Sequence, residues 1–333
     1  MKGFPTRFAI CFLTVCLVIA PVSAAKLLIP GGQVIGIHLR DGTVTVAAID
    51  EALGQPCKKA GLAPGDRIAA IDGKPIHTPE DLRTALSKSD GTVEVSILRS
   101  GHAKKLHICP TATKNGPRLG IYLKEGTTGI GTVTYLDPET GDFAALGHGV
   151  NDPNGNCLSM RSGEIFPSSV LSVKKGAVGT PGQLMGTLTN TTPMGQLSKN
   201  AQSGIFGATV GADAHIGPDP GLRSSAEPLP VASKNEIRPG PATIRSTVSG
   251  TDTREYSVEI VKIYATDSRT GRNMLIRITD PALLRTTGGI VQGMSGSPII
   301  QDGKLVGAVT HVLVNDPTTG YGIFIENMLD AAA

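Results

Sequence analysis

The chain has 333 residues, enough for two domains that each bury a core of their own. Aromatic residues make up only 4% and Trp is absent, so the cores must be aliphatic, while 42 Gly and 23 Pro indicate short strands joined by turns. The formal charge is only +3 at pH 7 and no basic block occurs, which argues against nucleic-acid binding.

Residues 1–25 have the order of an export signal. Lys2 and Arg7 precede an apolar run from Phe8 to Ala20, and small residues follow at positions 23–25. The run is shorter than the roughly 20 residues that span a membrane. We therefore expect cleavage near Ala24, with an uncleaved membrane anchor as the alternative. Removal of this segment takes away two positive charges and leaves a nearly neutral chain.

Three of the five cysteines, Cys57, Cys109 and Cys157, lie outside this segment. An odd number without a CxxC motif predicts neither a disulfide framework nor a zinc site, and three buried thiols is the favoured interpretation. No HExxH motif occurs. We expect no metal and no organic cofactor.

The next segment predicts a small domain of strands and short helices. "QVIGIHLRDGTVTV" (33–46) alternates apolar and polar residues around Asp41-Gly42, which predicts a β-hairpin. "CKKAGLAPGDRIAAIDGKPI" (57–76) predicts a short helix, a turn, a strand and a turn at Asp72-Gly73. In "HTPEDLRTAL", Thr78 has the position of an N-cap with Pro79 after it. A strand, "TVEVSILRSG", completes the unit.

This unit, residues 33–112, resembles a PDZ domain of the bacterial protease-associated type, most specifically in "AGLAPGDRIAAIDGKPI". The resemblance implies that an extended peptide is added as a strand along an exposed edge beside a helix. We expect that edge at Ile35–Leu39, with a peptide carboxylate held by the loop before it. The expected peptide-binding residues are Gln33, Val34, Ile35, Gly36, Ile37 and His38. The alternative is a PDZ-like fold used only for internal docking.

Residues 113–120, "TKNGPRLG", have the composition of a linker. From residue 117 to the end, strand-like runs alternate with Gly- and Pro-rich turns, which predicts an all-β barrel or sandwich. Residues 217–241 predict a long surface loop. A short helix is expected at Glu326–Ala332.

The uncharged stretch "GGIVQGMSGSPII" (288–300) singles out Ser295 as a candidate nucleophile. A nucleophilic serine needs a base, a tight turn and N–H groups that meet the oxyanion. Gly293 and Gly296 permit such a turn, and the N–H groups of Gly293 and Ser295 are the candidate oxyanion hole. The alternative is that the Gly, Ser and Pro residues form a tight turn and nothing more.

The base of such a serine would be a histidine. His148 is favoured because it lies between two glycines directly after an apolar run, in "GDFAALGHGVND". His215 borders the predicted loop, and His311, inside "VGAVTHVLV", is interpreted as a packed strand residue. The remaining histidines belong to the PDZ-like segment or its end: His38, His77, His102 and His107.

A carboxylate would orient the imidazole of the base. Asp280 ends the run "MLIRITD" and precedes Pro281, a position that also suits an ordinary helix N-cap. Asp137, Asp142 and Asp267 are its rivals, and spacing does not rank them.

The order of signal, PDZ-like segment, "FAALGHGV", "ITDPALL" and the block 288–329 closely resembles the stage IV sporulation protein B (SpoIVB) serine peptidase family. The resemblance covers nearly all of the chain after the signal. It implies a serine endopeptidase with a chymotrypsin-like double β-barrel over residues 117–333. It also implies Ser295 as nucleophile, His148 as its histidine and Asp280 as the acid, although fifteen residues between acid and serine is unusually few for that fold.

The same resemblance implies a regulatory role in sporulation. Such proteins are exported across the inner forespore membrane into the intermembrane space and are membrane-anchored until their N-terminal segment is cleaved. They cut a protein substrate in a membrane-embedded signalling complex, which leads to intramembrane processing of a late sigma factor, and they cleave themselves in trans. The alternative is a PDZ adaptor with an inactive peptidase-like domain. A general quality-control protease is disfavoured because the PDZ-like segment comes first and "GMSGSP" replaces a "GNSGGP"-like motif.

Overall fold

The computed structural model describes residues 26–89, 91–152, 155–210, 226–264 and 271–333. Several predicted features lie outside these ranges: the signal (1–25), His215, Asp267 and residues 217–225 of the predicted surface loop. Within them the chain is mainly β, as predicted. No helix in the described ranges is long and apolar enough to cross a membrane.

The strands of the first part of the chain are β1 (Leu27–Pro30), β2 (Val34–Ile49), β3 (Arg67–Ile71), β4 (Lys74–Pro75), β5 (Val93–Arg99), β6 (His102–Ile108), β7 (Ile121–Leu136), β8 (Asp142–Ala145), β9 (Ser162–Lys174), β10 (Gln183–Leu188), β11 (Gly195–Ala201), β12 (Gly204–Thr209) and β13 (Leu229–Pro230). The later strands are β14 (Gly240–Thr247), β15 (Thr253–Ile263), β16 (Met274–Ile278), β17 (Pro298–Gln301), β18 (Lys304–Leu313) and β19 (Asp316–Phe324). The helices are α1 (Gln55–Lys59), α2 (Pro79–Ser87), α3 (Pro281–Thr287) and α4 (Ile325–Ala332).

The PDZ lobe forms from residues 44–125 and follows the local signals of the sequence. Thr78 caps α2 in a reciprocal capping box with Asp81, and Pro79 occupies the first helical position. Asp72 and Gly73 both have positive φ values, 47° and 74°, and turn β3 into β4. The lobe buries an aliphatic core of its own. Its turns and α2 are therefore built as predicted.

The hairpin expected at Asp41-Gly42 is wrong. β2 does not fold back on itself, and both of its halves pair with β7. The two strands bend together: Gly42 has φ +74° and Gly126 of β7 has φ +65°. A Cβ at residue 126 would lie 2.1 Å from the Leu39 carbonyl oxygen, so the bend requires glycine there. One bent strand pair thus runs from the PDZ lobe into the next barrel.

The peptide-binding edge expected at Ile35–Leu39 is also corrected by the structure. This half of β2 pairs with β7 on one side and with β9 on the other. Both rows of backbone hydrogen-bonding groups are already used, so no added strand can pair here. Gln33, Val34, Ile35, Gly36, Ile37 and His38 belong to a barrel wall or lead into it.

Residues 113–120 are part of the PDZ lobe and not a linker. Leu119 is buried in the lobe's core, and its carbonyl oxygen accepts a hydrogen bond from Cys57 Sγ at 3.0 Å. β7 starts at residue 121 and continues without a break into the barrel. The predicted boundary between residues 112 and 117 therefore falls inside the lobe. Two paired strands connect the lobe to the first barrel, β2 with its bend at Gly42 and β7 with its bend at Gly126.

The chain forms two six-stranded barrels, which confirms the predicted double β-barrel. The first closes through the pairs β2–β7, β7–β8, β8–β12, β12–β11, β11–β9 and β9–β2. The second is the closed barrel β14-β15-β16-β19-β18-β17. Each has its own apolar core, and a third cluster, which includes Tyr135, Phe206 and Ile323, packs between them. The barrels thus meet along a seam that is packed with apolar side chains.

β1 tethers the start of the described chain to the first barrel. It pairs with β7 and β13, and Leu28 is fully buried. At the other end of the chain, α4 begins at Ile325, one residue before the predicted start, and buries Ile325 and Met328.

Candidate active site

Ser295 lies in the loop between α3 and β17, at the seam of the two barrels. Gly293 and Gly296 have φ values of +100° and +99°, conformations that other residues adopt only under strain. A Cβ at residue 296 would lie 2.0 Å from the Thr132 carbonyl oxygen. The two glycines predicted to allow a tight turn therefore do so here, and Gly296 also allows the loop to touch β7.

Both barrels hold this loop in place. Thr132 of β7 donates its N–H to the Ser295 carbonyl at 3.0 Å and its hydroxyl to the Gly293 carbonyl at 2.7 Å. From the second barrel, the Val309 carbonyl accepts the Gly296 N–H at 2.8 Å. The loop is rigid for this reason, which is the condition for a preorganised site.

Along the Ser295 loop, backbone N–H groups that donate a hydrogen bond alternate with N–H groups that do not. Those of Met294 and Gly296 donate to Val291 and Val309 carbonyls. Those of Gly293 and Ser295 have no hydrogen-bond acceptor among the described residues. The two N–H groups predicted for an oxyanion hole are thus the two that are left available.

His148 follows β8 of the first barrel in a strained turn. Leu146 and Gly147 before it have φ values of +71° and +68°. The Nδ1 atom of His148 lies 3.0 Å from the Gly149 carbonyl oxygen. Because a carbonyl only accepts, Nδ1 carries the hydrogen and Nε2 keeps its lone pair. Burial lowers the pKa of His148 below its ordinary value, so the ring is a neutral base at pH 7.

Ser295 and His148 line one cleft of about 550 Å³ at the seam. The Ser295 hydroxyl donates to the Thr310 carbonyl oxygen at 2.8 Å and not to His148. Apolar side chains from both barrels, such as Ile130, Ile290 and Val312, form much of the wall. No Asp, Glu, Lys or Arg lines it within the described chain. The structure therefore brings the predicted nucleophile and base into one uncharged pocket.

Asp280 lies elsewhere. Its carboxylate accepts the N–H groups of Ala282 and Leu283 at 2.8 and 2.9 Å and so caps α3. It does not line the cleft and forms no hydrogen bond with His148. The described chain thus joins two of the three predicted catalytic residues and uses the third as the helix cap that its sequence context also suggested.

The rival carboxylates are engaged at the β7–β8 turn. Asp137 forms an ion pair with Lys26 at 3.0 Å, and Asp142 accepts a hydrogen bond from the Thr140 hydroxyl. Within the described ranges no carboxylate contacts His148, and no cluster of three His, Cys, Asp or Glu side chains could hold a metal ion.

His311 is the site residue that sequence reasoning missed. It sits on β18 beside Thr310, lines the cleft, and its ring centroid lies 5.1 Å from that of His148. The available signal was the adjacent polar pair Thr310 and His311 within the otherwise apolar run "VGAVTHVLV". That signal is weak because core strands contain occasional histidines, and only the fold brings β18 next to the turn after β8.

A second cleft, of about 630 Å³, lies in the PDZ lobe between α2 and the first residues of β7. Ile121–Leu123 pair with β2 along one edge, and their other edge carries no strand among the described residues. Five charged side chains line the cleft: Asp50, Glu80, Arg83, Lys114 and Arg118. Arg83 forms an ion pair with Glu80, so the excess positive charge comes from Lys114 and Arg118. This open edge beside a helix has the features that were expected at Ile35–Leu39.

Comparison with known proteins agrees with these features. The profile described as SpoIVB peptidase S55 matches residues 115–329, and a PDZ domain profile matches residues 33–109. Both matches confirm the resemblances predicted from the sequence.

Among curated relatives, a zinc metalloprotease candidate of Rhizobium meliloti (strain 1021) is 37% identical over 118 residues, which cover 35% of this chain and 29% of that protein. A candidate DegP-like periplasmic serine endoprotease of the same organism is 32% identical over 76 residues, covering 22% of this chain and 14% of that protein. The chain thus spans less than a third of these relatives. The active form of the Rv3671c protease of M. tuberculosis superposes with a TM-score of 0.35 at 14% identity, covering 61% of this chain and 72% of that one.

Proposed function

The chain belongs to the SpoIVB peptidase S55 family and carries a PDZ domain, and on this premise we propose that it is a serine endopeptidase with Ser295 as nucleophile and His148 as base. One observation carries the proposal: a serine from one barrel and a neutral histidine from the other line the same uncharged cleft. Two N–H groups without acceptors accompany the serine.

The reaction is acyl transfer. Ser295 Oγ leaves the Thr310 carbonyl, whose neutral hydrogen bond is worth about 1 kcal/mol, and turns toward His148. As Oγ bonds to the scissile carbonyl carbon, its proton moves to His148 Nε2. The N–H groups of Gly293 and Ser295 stabilise the oxyanion, and His148 then protonates the leaving amine. Water releases the acyl group by the same steps in reverse.

The walls of the cleft define the substrate class. An uncharged, largely apolar pocket stabilises apolar side chains and disfavours a buried, unpaired charge. The proposed substrate is therefore a protein segment with an apolar residue beside the scissile bond. The open edge of Ile121–Leu123 and the cations of the PDZ cleft fit a second, extended segment that ends in a carboxylate.

The physiological role is proposed from family membership. On this proposal the chain is exported, acts at the membrane of the forespore on a signalling complex, and cleaves itself in trans. The sequence supports export through the apolar run from Phe8 to Ala20. The experiment is deletion of the gene with complementation by wild type or Ser295→Ala, scored by sigma-factor processing. Complementation by Ser295→Ala would contradict the role.

Activity is tested with the full-length chain as wild type and as Ser295→Ala, followed by mass spectrometry with an unfolded protein substrate. We expect the variant to lose roughly 10⁶-fold in kcat. Ser297→Ala is the matched control, because Ser297 lies in the same loop but donates to the buried Ser246 hydroxyl. Equal behaviour of all three proteins would favour the second candidate, a PDZ adaptor. That candidate has support in the Ser295–Thr310 bond, which leaves the hydroxyl turned away from His148.

A further inference from the structure

The ring of His311 lies against the base and next to the nucleophile. Its centroid is 5.1 Å from that of His148, with the two rings tilted by 37°. Its neighbour on β18, Thr310, supplies the carbonyl that accepts the Ser295 hydroxyl. The Thr310 hydroxyl in turn donates to the Gly271 carbonyl at 2.9 Å, which anchors this part of the strand. His311 is therefore held in place by its own strand.

One ring nitrogen of His311 forms no hydrogen bond within the described chain. Its Nδ1 atom is buried and has no hydrogen-bond partner among the described residues. A buried polar atom without a partner destabilises the folded state, and native proteins keep few of them outside functional sites. The atom belongs to the ring that packs against His148, the proposed base.

The base lacks the group that would normally stabilise its charged form. The Gly149 carbonyl sets the tautomer of His148 but carries no full negative charge. Asp280 caps α3, and no carboxylate lines the cleft in the described chain. When Ser295 transfers its proton, His148 becomes a buried cation, and a buried cation requires a nearby acceptor.

We propose that His311 is the positioning residue for His148: its ring holds the imidazole in the cleft, and its Nδ1 lone pair stabilises the imidazolium. This inference rests on the proposed function. The proton of Ser295 Oγ moves to His148 Nε2 as Oγ bonds to the scissile carbon, and it leaves His148 with the departing amine. His311 accepts no proton and stays neutral, with its hydrogen on Nε2.

The surroundings of His311 keep its ring neutral. Burial, then the neighbouring His148, then Arg272 lower the pKa of His311 to about 4. The Arg272 guanidinium lies over the ring of Tyr321, 5.3 Å from its centroid, and so remains beside β18. At pH 7 the ring is therefore neutral and has one nitrogen with a free lone pair, which the proposal assigns to Nδ1.

Two variants of the full-length chain separate the parts of this role. His311→Phe keeps a ring against His148 without an acceptor, whereas His311→Asn places an amide oxygen near the position of Nδ1. We expect His311→Phe to lower kcat on the order of 100-fold with KM nearly unchanged, and His311→Asn to recover to within about tenfold of wild type. His102→Phe, an exposed change in the PDZ lobe, is the control. Melting temperatures check that each variant folds.

Each result decides the matter. Wild-type kcat in His311→Phe, or a deeper loss in His311→Asn than in His311→Phe, overturns the proposal while leaving the serine peptidase intact. A wild type that neither cleaves substrate nor reacts with a fluorophosphonate overturns the proposed function itself. Independently of the variants, ¹⁵N NMR of the wild-type imidazoles should show an unprotonated Nδ1 in His311. A protonated Nδ1 would also overturn the proposal.

Discussion

The two clefts of this protein are built in different ways. The PDZ cleft comes from three short stretches, residues 50–53, α2 and residues 113–123, and charged side chains line it. The peptidase cleft collects residues from 37 to 314, from both barrels, and no charged side chain of the described chain lines it. On the proposed function, the first cleft binds a peptide along an open strand edge, and the second holds Ser295 and His148 at the seam of the two barrels. The same strand, β7, contributes to both.

Because of this difference, we expect the peptidase cleft to be more sensitive to substitutions than the PDZ cleft. Its geometry depends on close approaches between distant segments, such as the Ser295 loop and β7. The PDZ cleft depends on one helix and one strand edge within a lobe that has its own core. Changes that disturb the seam should therefore abolish cleavage while leaving peptide binding in the PDZ lobe unaffected.

The largest effect is expected from Gly296→Ala. The new Cβ would meet the Thr132 carbonyl oxygen, and φ at this residue is +99°. We expect at least about a thousandfold loss of kcat/KM and a loss of roughly 2 kcal/mol or more in the free energy of unfolding. Gly91→Ala, in open space on the PDZ lobe, is the control. Peptide binding to the PDZ cleft, measured by calorimetry, should not change, and a parallel loss of binding would refute the independence of the clefts.

The pH dependence should separate the clefts next. Burial lowers the pKa of His148 below 6.5, and a base acts only when it is neutral. The midpoint of the acid limb of kcat/KM should therefore fall below pH 6.5, so that cleavage at pH 6.5 is more than half of its value at pH 8. No histidine lines the PDZ cleft, so peptide affinity should stay level between pH 5 and 7. An acid limb above pH 6.5 would contradict the buried, neutral base.

A smaller effect is expected from Arg118→Ala. This side chain lines the PDZ cleft, where a cation favours a peptide carboxylate. We expect about five- to tenfold weaker binding of a peptide with a free C-terminus and no change for its amidated form. Arg67→Ala on β3, outside the cleft, is the matched control. Cleavage of a short peptide that does not reach the PDZ lobe should be the same in all variants.

Only a small effect on activity is expected from Asp280→Ala. Loss of the cap on α3 should lower the free energy of unfolding by about 1 kcal/mol. Cleavage should fall by less than about tenfold, because the carboxylate lies outside the cleft. Asp280→Asn, which can still cap the helix, should restore most of the stability. A loss of more than about a thousandfold in kcat for both variants would instead identify Asp280 as the acid implied by the family.

The local elements of this protein can be predicted from its sequence. The capping residues around Thr78, the Asp72-Gly73 turn and the two glycines of the Ser295 loop act over a few residues, so their patterns can be recognised in the sequence. The family motifs located the serine and the histidine for the same reason. Each motif is a short stretch whose conformation depends mostly on its own glycines.

Which segments those elements contact depends on long-range strand pairing, and the sequence does not show it. The bend at Asp41-Gly42 resembles a hairpin in sequence, but pairing with β7 along its whole length keeps β2 extended. That pairing buries the expected peptide edge and leaves the open edge to Ile121–Leu123. Likewise His311 looks like a core residue until β18 packs beside the turn after β8. Strand pairing and barrel closure join residues more than a hundred positions apart, and such long-range contacts leave no periodic signal in the chain.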